Sequence, residues 1–135
     1  MQGVIIRDGT EPGGSGGLDF DLRDVLAALG QRVVTSRWRC PRLRYTSRDE
    51  RDVPVLEQAG TEGRPVAGSD LAGGIGELLQ VIDGEFEAFD ENEVRWAVIR
   101  AVDSSWWEVW SDDKSVLEAV RTTFRITEDI SERAG

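Results

Sequence analysis

The chain has no histidine among its 135 residues, and only one cysteine, one methionine and one tyrosine. Without imidazole there can be no Ser-His-Asp or Cys-His nucleophile system, no histidine-bound zinc and no imidazole general base. One thiol, Cys40, supplies neither an internal disulfide nor a cysteine zinc site, a usage that fits a reducing cytoplasm. Long apolar runs are missing too: no stretch approaches the roughly 18 apolar residues that mark a candidate membrane span. The opening MQGVIIRDGTEPGG lacks the basic start and apolar run of a signal peptide. These absences predict a cytoplasmic protein with no cofactor and no metal. Any catalysis would have to be carboxylate chemistry, either paired acids or acids holding magnesium.

Charge is present in abundance and unevenly placed. Of the formal net charge of -10, residues 1–68 contribute nothing, with ten basic and ten acidic side chains, and residues 69–135 contribute all of it, with six basic and sixteen acidic. Such a field opposes phosphate backbones and favours basic protein partners. Lys114 stands alone beside fifteen arginines. The bias has no functional account in the sequence.

The chain is organised around residues 80–125, read as a βββα unit. Gln80, Ile82, Gly84, Phe86 and Ala88 alternate with Val81, Asp83, Glu85, Glu87 and Phe89, the period-two pattern of a strand with one face on a core and an acidic face toward water. The β-branched and aromatic run 94–102 is expected to be the central strand. Asp103-Ser104-Ser105 supplies a turn, and Trp106, Glu108 and Trp110 then share one face of a third strand while Trp107 and Val109 share the other. Ser111 or Asp112 is placed to cap a helix with the stripe Val116, Leu117, Val120 and Phe124.

Earlier in the chain, Val4-Ile5-Ile6 reads as an edge strand or a segment tucked under the sheet, and 8–17 as a flexible Gly-rich loop without the spacing of a phosphate cradle. Asp21 caps a helix over 22–29 ended by Gly30. The stretch 32–48 carries Arg32, Arg37, Arg39, Arg42, Arg44 and Arg48 and no acid. It reads as a strand, made an edge or interrupted by Pro41, whose arginines pair across the sheet with Asp83, Glu85 and Glu87. Nucleic-acid binding by these arginines is opposed by the charge of the whole chain. Residues 46–68 read as mostly loop with a short helix at 53–59, and Ser69 or Asp70 as the cap of a helix reaching Leu79. The expected fold is therefore one α+β domain over 1–135: a small antiparallel or mixed sheet with a C-terminal three-strand meander, packed by about three helices on one face.

Asp103 with Asp112-Asp113-Lys114 resembles the acid and acid-x-lysine pattern of restriction-type nucleases. The resemblance implies Asp103 and Asp112 as metal ligands and Lys114 as the base that orients water. In that family the second element lies on a strand, whereas here it opens a helix and helix capping accounts for both aspartates, so no family is assigned. The leading expectation is a small, acidic, non-catalytic binding protein without membrane or nucleic-acid contact, of the immunity or antitoxin inhibitor type. Its basic protein partner would be engaged through Trp106, Trp110, Asp83, Glu85, Glu87 and Glu108. The alternatives are a magnesium-dependent, nuclease-like enzyme and a structural module that pairs with a second copy of itself as a homodimer.

Overall fold

A computed structural model describes residues 1–8 and 20–131. The loop expected over 8–17, beyond Asp8, and the chain end after Ser131 lie outside the described residues. Among the described residues seven strands form one sheet: β1 (Gln2–Ile6), β2 (Arg37–Ser47), β3 (Val66–Ala67), β4 (Leu78–Phe89), β5 (Arg95–Val102), β6 (Trp106–Ser111) and β7 (Thr127–Ser131). Every pairing is antiparallel, in the order β3-β2-β4-β5-β6-β1-β7. Four helices complete the described architecture: α1 (Leu22–Leu29), α2 (Pro54–Ala59), α3 (Gly68–Gly74) and α4 (Lys114–Thr123). The fold is α+β, with strands predominating. β5 is the fourth strand of seven, the central place expected of its apolar run.

All four helices lie on one side of the sheet. Leu22, Val25 and Leu26 of α1, Leu56 of α2, Leu71 of α3 and Val116, Leu117 and Val120 of α4 join a single buried cluster with Val4, Ile6, Trp38, Phe86, Ile99, Trp107 and Val109 of the strands. Ile5 and Val98 are buried but belong to the other side, outside that cluster. Val4-Ile5-Ile6 is neither an edge strand nor a tucked segment. β1 sits between β6 and β7, so all three side chains are covered, and this explains why the run does not alternate.

Bulges decide which side chains face which way, because one extra residue reverses the alternation beyond it. In β2 the pairing steps from Arg39↔Glu87 to Arg42↔Glu85, so Cys40 and Pro41 together face the single residue Phe86. Cys40 is buried, and burial pushes its thiol up to about 12. Without this insertion Arg42 and Arg44 would enter the core; with it, Arg37, Arg39, Arg42 and Arg44 all remain exposed. In β5 the step from Ala88↔Ala97 to Phe89↔Arg95 leaves Trp96 unpaired. Its indole turns to the helix side, meets Trp38 edge-on at 6.4 Å and donates to Ser36 Oγ at 2.8 Å. In β4 Ile82 is the extra residue, so Val81 turns inward instead of sharing the acidic face.

Three helix boundaries differ from the sequence reading: α3 starts at Gly68 after Ala67, so Ser69 and Asp70 lie inside its first turn and neither caps it. α3 ends at Gly74 rather than running to Leu79, because the glycines Gly73, Gly74 and Gly76 provide little helix propensity, and Leu78 instead begins β4 with its side chain buried. The cap of α4 is Asp113, not Ser111 or Asp112: Asp113 Oδ1 accepts from Ser115 N at 2.9 Å, while the Ser111 hydroxyl is buried and donates to the Trp96 carbonyl at 2.6 Å. The Ser115 hydroxyl and backbone hydrogen bonds, helped by Arg32, hold the Asp113 carboxyl below its usual range.

Asp21 caps α1 and also reaches across the structure, accepting from Val81 N at 3.1 Å, while its own N–H donates to Asp24 Oδ2 at 2.9 Å. Burial lifts its carboxyl from 3.8 to about 6, against the lowering pull of the Val81 N–H. A folded-state value above the unfolded one means that between about pH 4 and 6 the native chain keeps a proton the unfolded chain has released. Stability from this group therefore falls as pH rises through that window. Asp21→Asn retains an acceptor for Val81 and removes the titration. The variant should match wild type near pH 4 and exceed it by about 1–2 kcal/mol at pH 7, a figure discounted for partial solvation. Urea unfolding of both proteins at several pH values checks this; a constant difference would mean that Asp21 does not titrate in the window.

Candidate functional site

The side of the sheet away from the helices carries no covering element among the described residues. Its charges stand in columns that alternate in sign from strand to strand. β2 presents Arg39, Arg42 and Arg44, register-matched to Glu87, Glu85 and Asp83 of β4; Glu85 is matched in turn to Arg100 of β5, and Arg100 to Glu108 of β6. Ion pairs follow this pattern: Arg42 to Asp83 at 3.0 Å, Arg95 to Glu87 at 2.7 Å and Arg100 to Glu85 at 2.9 Å. The arginines are about half exposed, so each pair adds only tenths of a kcal/mol to about 1 kcal/mol. Together they favour this strand order, because neighbouring strands of like sign would repel, while a slip of two residues between β2 and β4 would still set arginine against acid.

Beside these columns lies an aromatic patch. Trp106 and Trp110 are half-buried, and both indoles donate to the same carboxylate, Glu108 Oε2 and Oε1, each at 2.9 Å. Glu108 is thus held between two rings, with Arg100 a further 4.0 Å from Oε1. Trp110 lies across Gly3: a Cβ there would come within 2.7 Å of the ring, so this strand position needs glycine for the indole to lie flat. Arg7 stands over Trp106 at 5.4 Å and Arg100 over Trp110 at 6.0 Å, within cation–π reach. Ile5 stands opposite Glu108 and Val98 opposite Trp110, two buried apolar residues on an otherwise open face.

Comparison with family models, curated proteins and solved structures finds no match for this chain. The six residues singled out in the sequence, Trp106, Trp110, Asp83, Glu85, Glu87 and Glu108, all fall on this one face. The four acids are not a free acidic field, however, since each holds an arginine or an indole. Unpaired acidity lies instead on the rim: Glu91 and Glu93 in the exposed β4–β5 turn, beside Val94 at 57% exposure. Gly3, Arg7 and Arg100 escaped the sequence reading. Their roles come from cross-strand register, which the order of residues does not reveal.

Asp103 and Asp112 stand at opposite ends of β6, whose six residues span about 20 Å. Asp103 lies in the β5–β6 turn near Arg44 and Asp83, whereas Asp112 meets the amino terminus at 3.2 Å and Lys114 opens α4. The nuclease-like pattern therefore does not converge on one place. Among the described residues no group of three His, Cys, Asp or Glu side chains is arranged to hold a metal ion. Among the described residues no helix is long and apolar enough to cross a membrane.

Proposed function

We propose that this is a non-catalytic binding protein that docks a basic protein partner on the open face of its sheet, in the manner of an immunity- or antitoxin-type inhibitor. One observation carries the reading: Trp106 and Trp110 are partly exposed on a sheet face that no element among the described residues covers, both held by Glu108, with Trp110 lying over Gly3. Aromatic anchors held rigid before contact lose little entropy on binding and are the residue type that dominates interface energetics. Glu91 and Glu93 at the rim, together with the net charge of -10, would speed encounter with a basic surface without having to be buried by it. The paired acids Asp83, Glu85, Glu87 and Glu108 would set the strand order and shape of the face, not its charge.

Affinity capture compares wild type with the folded double variant Trp106→Ala/Trp110→Ala at low and high salt. The expected result is a basic protein held by wild type, weakened by salt and lost by the variant. Identical retention by both proteins would overturn the reading. A mass that doubles with concentration for wild type and not for the variant would replace the foreign partner with a second copy of the chain.

A further inference from the structure

Beyond the tryptophan face lies an unfinished sheet edge. β3 pairs only with Arg37 and Trp38, leaving the outer side of β2 from Arg39 to Ser47 without a strand among the described residues. Two cavities run along this strand, of about 600 and 230 Å³, and they share Leu43, Tyr45 and Glu57. We propose that the outer edge of β2, from Arg42 to Thr46, accepts an extended peptide strand of a partner, with acidic residues on the open face of the sheet and apolar residues on the helix side.

The occupant follows from the columns already described. Reading across the open face, β6 presents Glu108, β5 presents Arg100 and Arg95, β4 presents Asp83, Glu85 and Glu87, and β2 presents arginines again. The next position outward, beside Arg42 and Arg44, therefore calls for acids. On the helix side the strand would meet Leu43, Tyr45 and Leu56, where an apolar side chain fits and an acid would oppose Glu57, which Tyr45 Oη holds at 2.7 Å. Pro41 sets one limit, since it has no N–H and stands at the bulge, where the edge is kinked. A second copy of β2 is disfavoured because arginine would face arginine, the device by which exposed edges avoid pairing with themselves. Main-chain bonds to an exposed edge provide affinity in this mode of recognition, and alternate side chains provide selectivity.

The probe is a fluorescein-labelled eight-residue peptide of alternating glutamate and valine, followed by anisotropy, with a lysine-valine peptide as its counterpart. The glutamate peptide should bind at least about tenfold tighter than the lysine peptide, and Arg44→Glu should reverse that order. Arg44 is an exposed residue, and an unchanged melting curve confirms that this variant is folded. A strand at an edge uses every second backbone N–H, so N-methylation of one alternate set in the peptide should weaken binding by about tenfold or more, and of the other set hardly at all. Equal effects of the two sets, or no binding of the glutamate peptide, would overturn the proposal. Trp106→Ala/Trp110→Ala should leave this binding intact, so the edge and the tryptophan face stand or fall separately.

Discussion

Gly68→Ala should cost at least about 3 kcal/mol, a large share of a total that for domains of this size is commonly only 5–15 kcal/mol. A Cβ on Gly68 would lie 1.6 Å from the Val33 carbonyl oxygen and 2.6 Å from its carbon, and both are backbone atoms that cannot swing aside. The same carbonyl accepts from Trp38 Nε1 at 3.1 Å, and Gly68 N donates to the Ser36 carbonyl at 2.8 Å. Ser36 Oγ in turn donates to the Arg32 carbonyl at 2.6 Å and accepts from Trp96 Nε1. One methyl group therefore disturbs the segment that satisfies two buried indoles. Leaving buried donors unpaired adds about 1–3 kcal/mol each to the steric penalty. Gly73→Ala is the control: nothing lies within 4 Å of its added Cβ, and in a helix alanine is favoured over glycine by about 0.5–1 kcal/mol. Urea unfolding should show Gly73→Ala equal to wild type or more stable, and Gly68→Ala less stable by at least about 3 kcal/mol. A folded Gly68→Ala of normal stability would refute the close approach of α3 to Val33.

Gly68 also shows where the sequence stops being legible. That a helix would follow Ser69 or Asp70 could be read from the sequence, but that it starts at residue 68, and that this residue must be glycine, depends on a backbone 35 positions earlier in the chain. The same division runs through the molecule. The faces of β6 were readable because no bulge interrupts Trp106 to Trp110, so period two holds throughout. β2 and β4 could not be read to the end, since the insertions at Cys40-Pro41 and at Ile82 reverse the alternation midway. Pro41 gave a hint, as a residue that a continuous ladder does not accept. The arginine–acid pairing across β2 and β4 was readable as a composition match, one stretch all basic and the other acidic. Which arginine meets which acid required the register. Val4-Ile5-Ile6 was ambiguous because its two neighbours, β6 and β7, come from the far end of the chain. At the candidate site, the residue types were legible and their state was not. The acids were expected to meet arginines of β2, yet only Asp83 does, through Arg42; Glu85 and Glu87 take Arg100 and Arg95 of β5, and Glu108 looked like surface charge when it is the acceptor that holds two rings.

Two adjacent tryptophans then give the sharpest test of this face assignment. Trp107→Ala should cost about 3–5 kcal/mol, the range for removing a large aromatic from a packed core. Trp107 is 1% exposed, stacks on Phe86 at 6.5 Å with 16° between the planes and meets Phe20 at 6.3 Å, and Phe20 in turn meets Phe124 at 5.0 Å. Removing it opens a cavity between α1, α4 and the sheet that rigid strands cannot close. Trp106→Ala, one position earlier, should cost only about 1 kcal/mol, because its ring is already partly in water and its hydrogen bond to Glu108 can pass to solvent. Denaturant midpoints of the two variants measured side by side decide the matter. Equal losses would mean that both rings are core and that no aromatic patch is presented. The expected inequality has a further use: a residue whose removal barely changes stability but abolishes partner capture acts through contact rather than through folding. Trp107 can never supply that evidence, and Trp106 can.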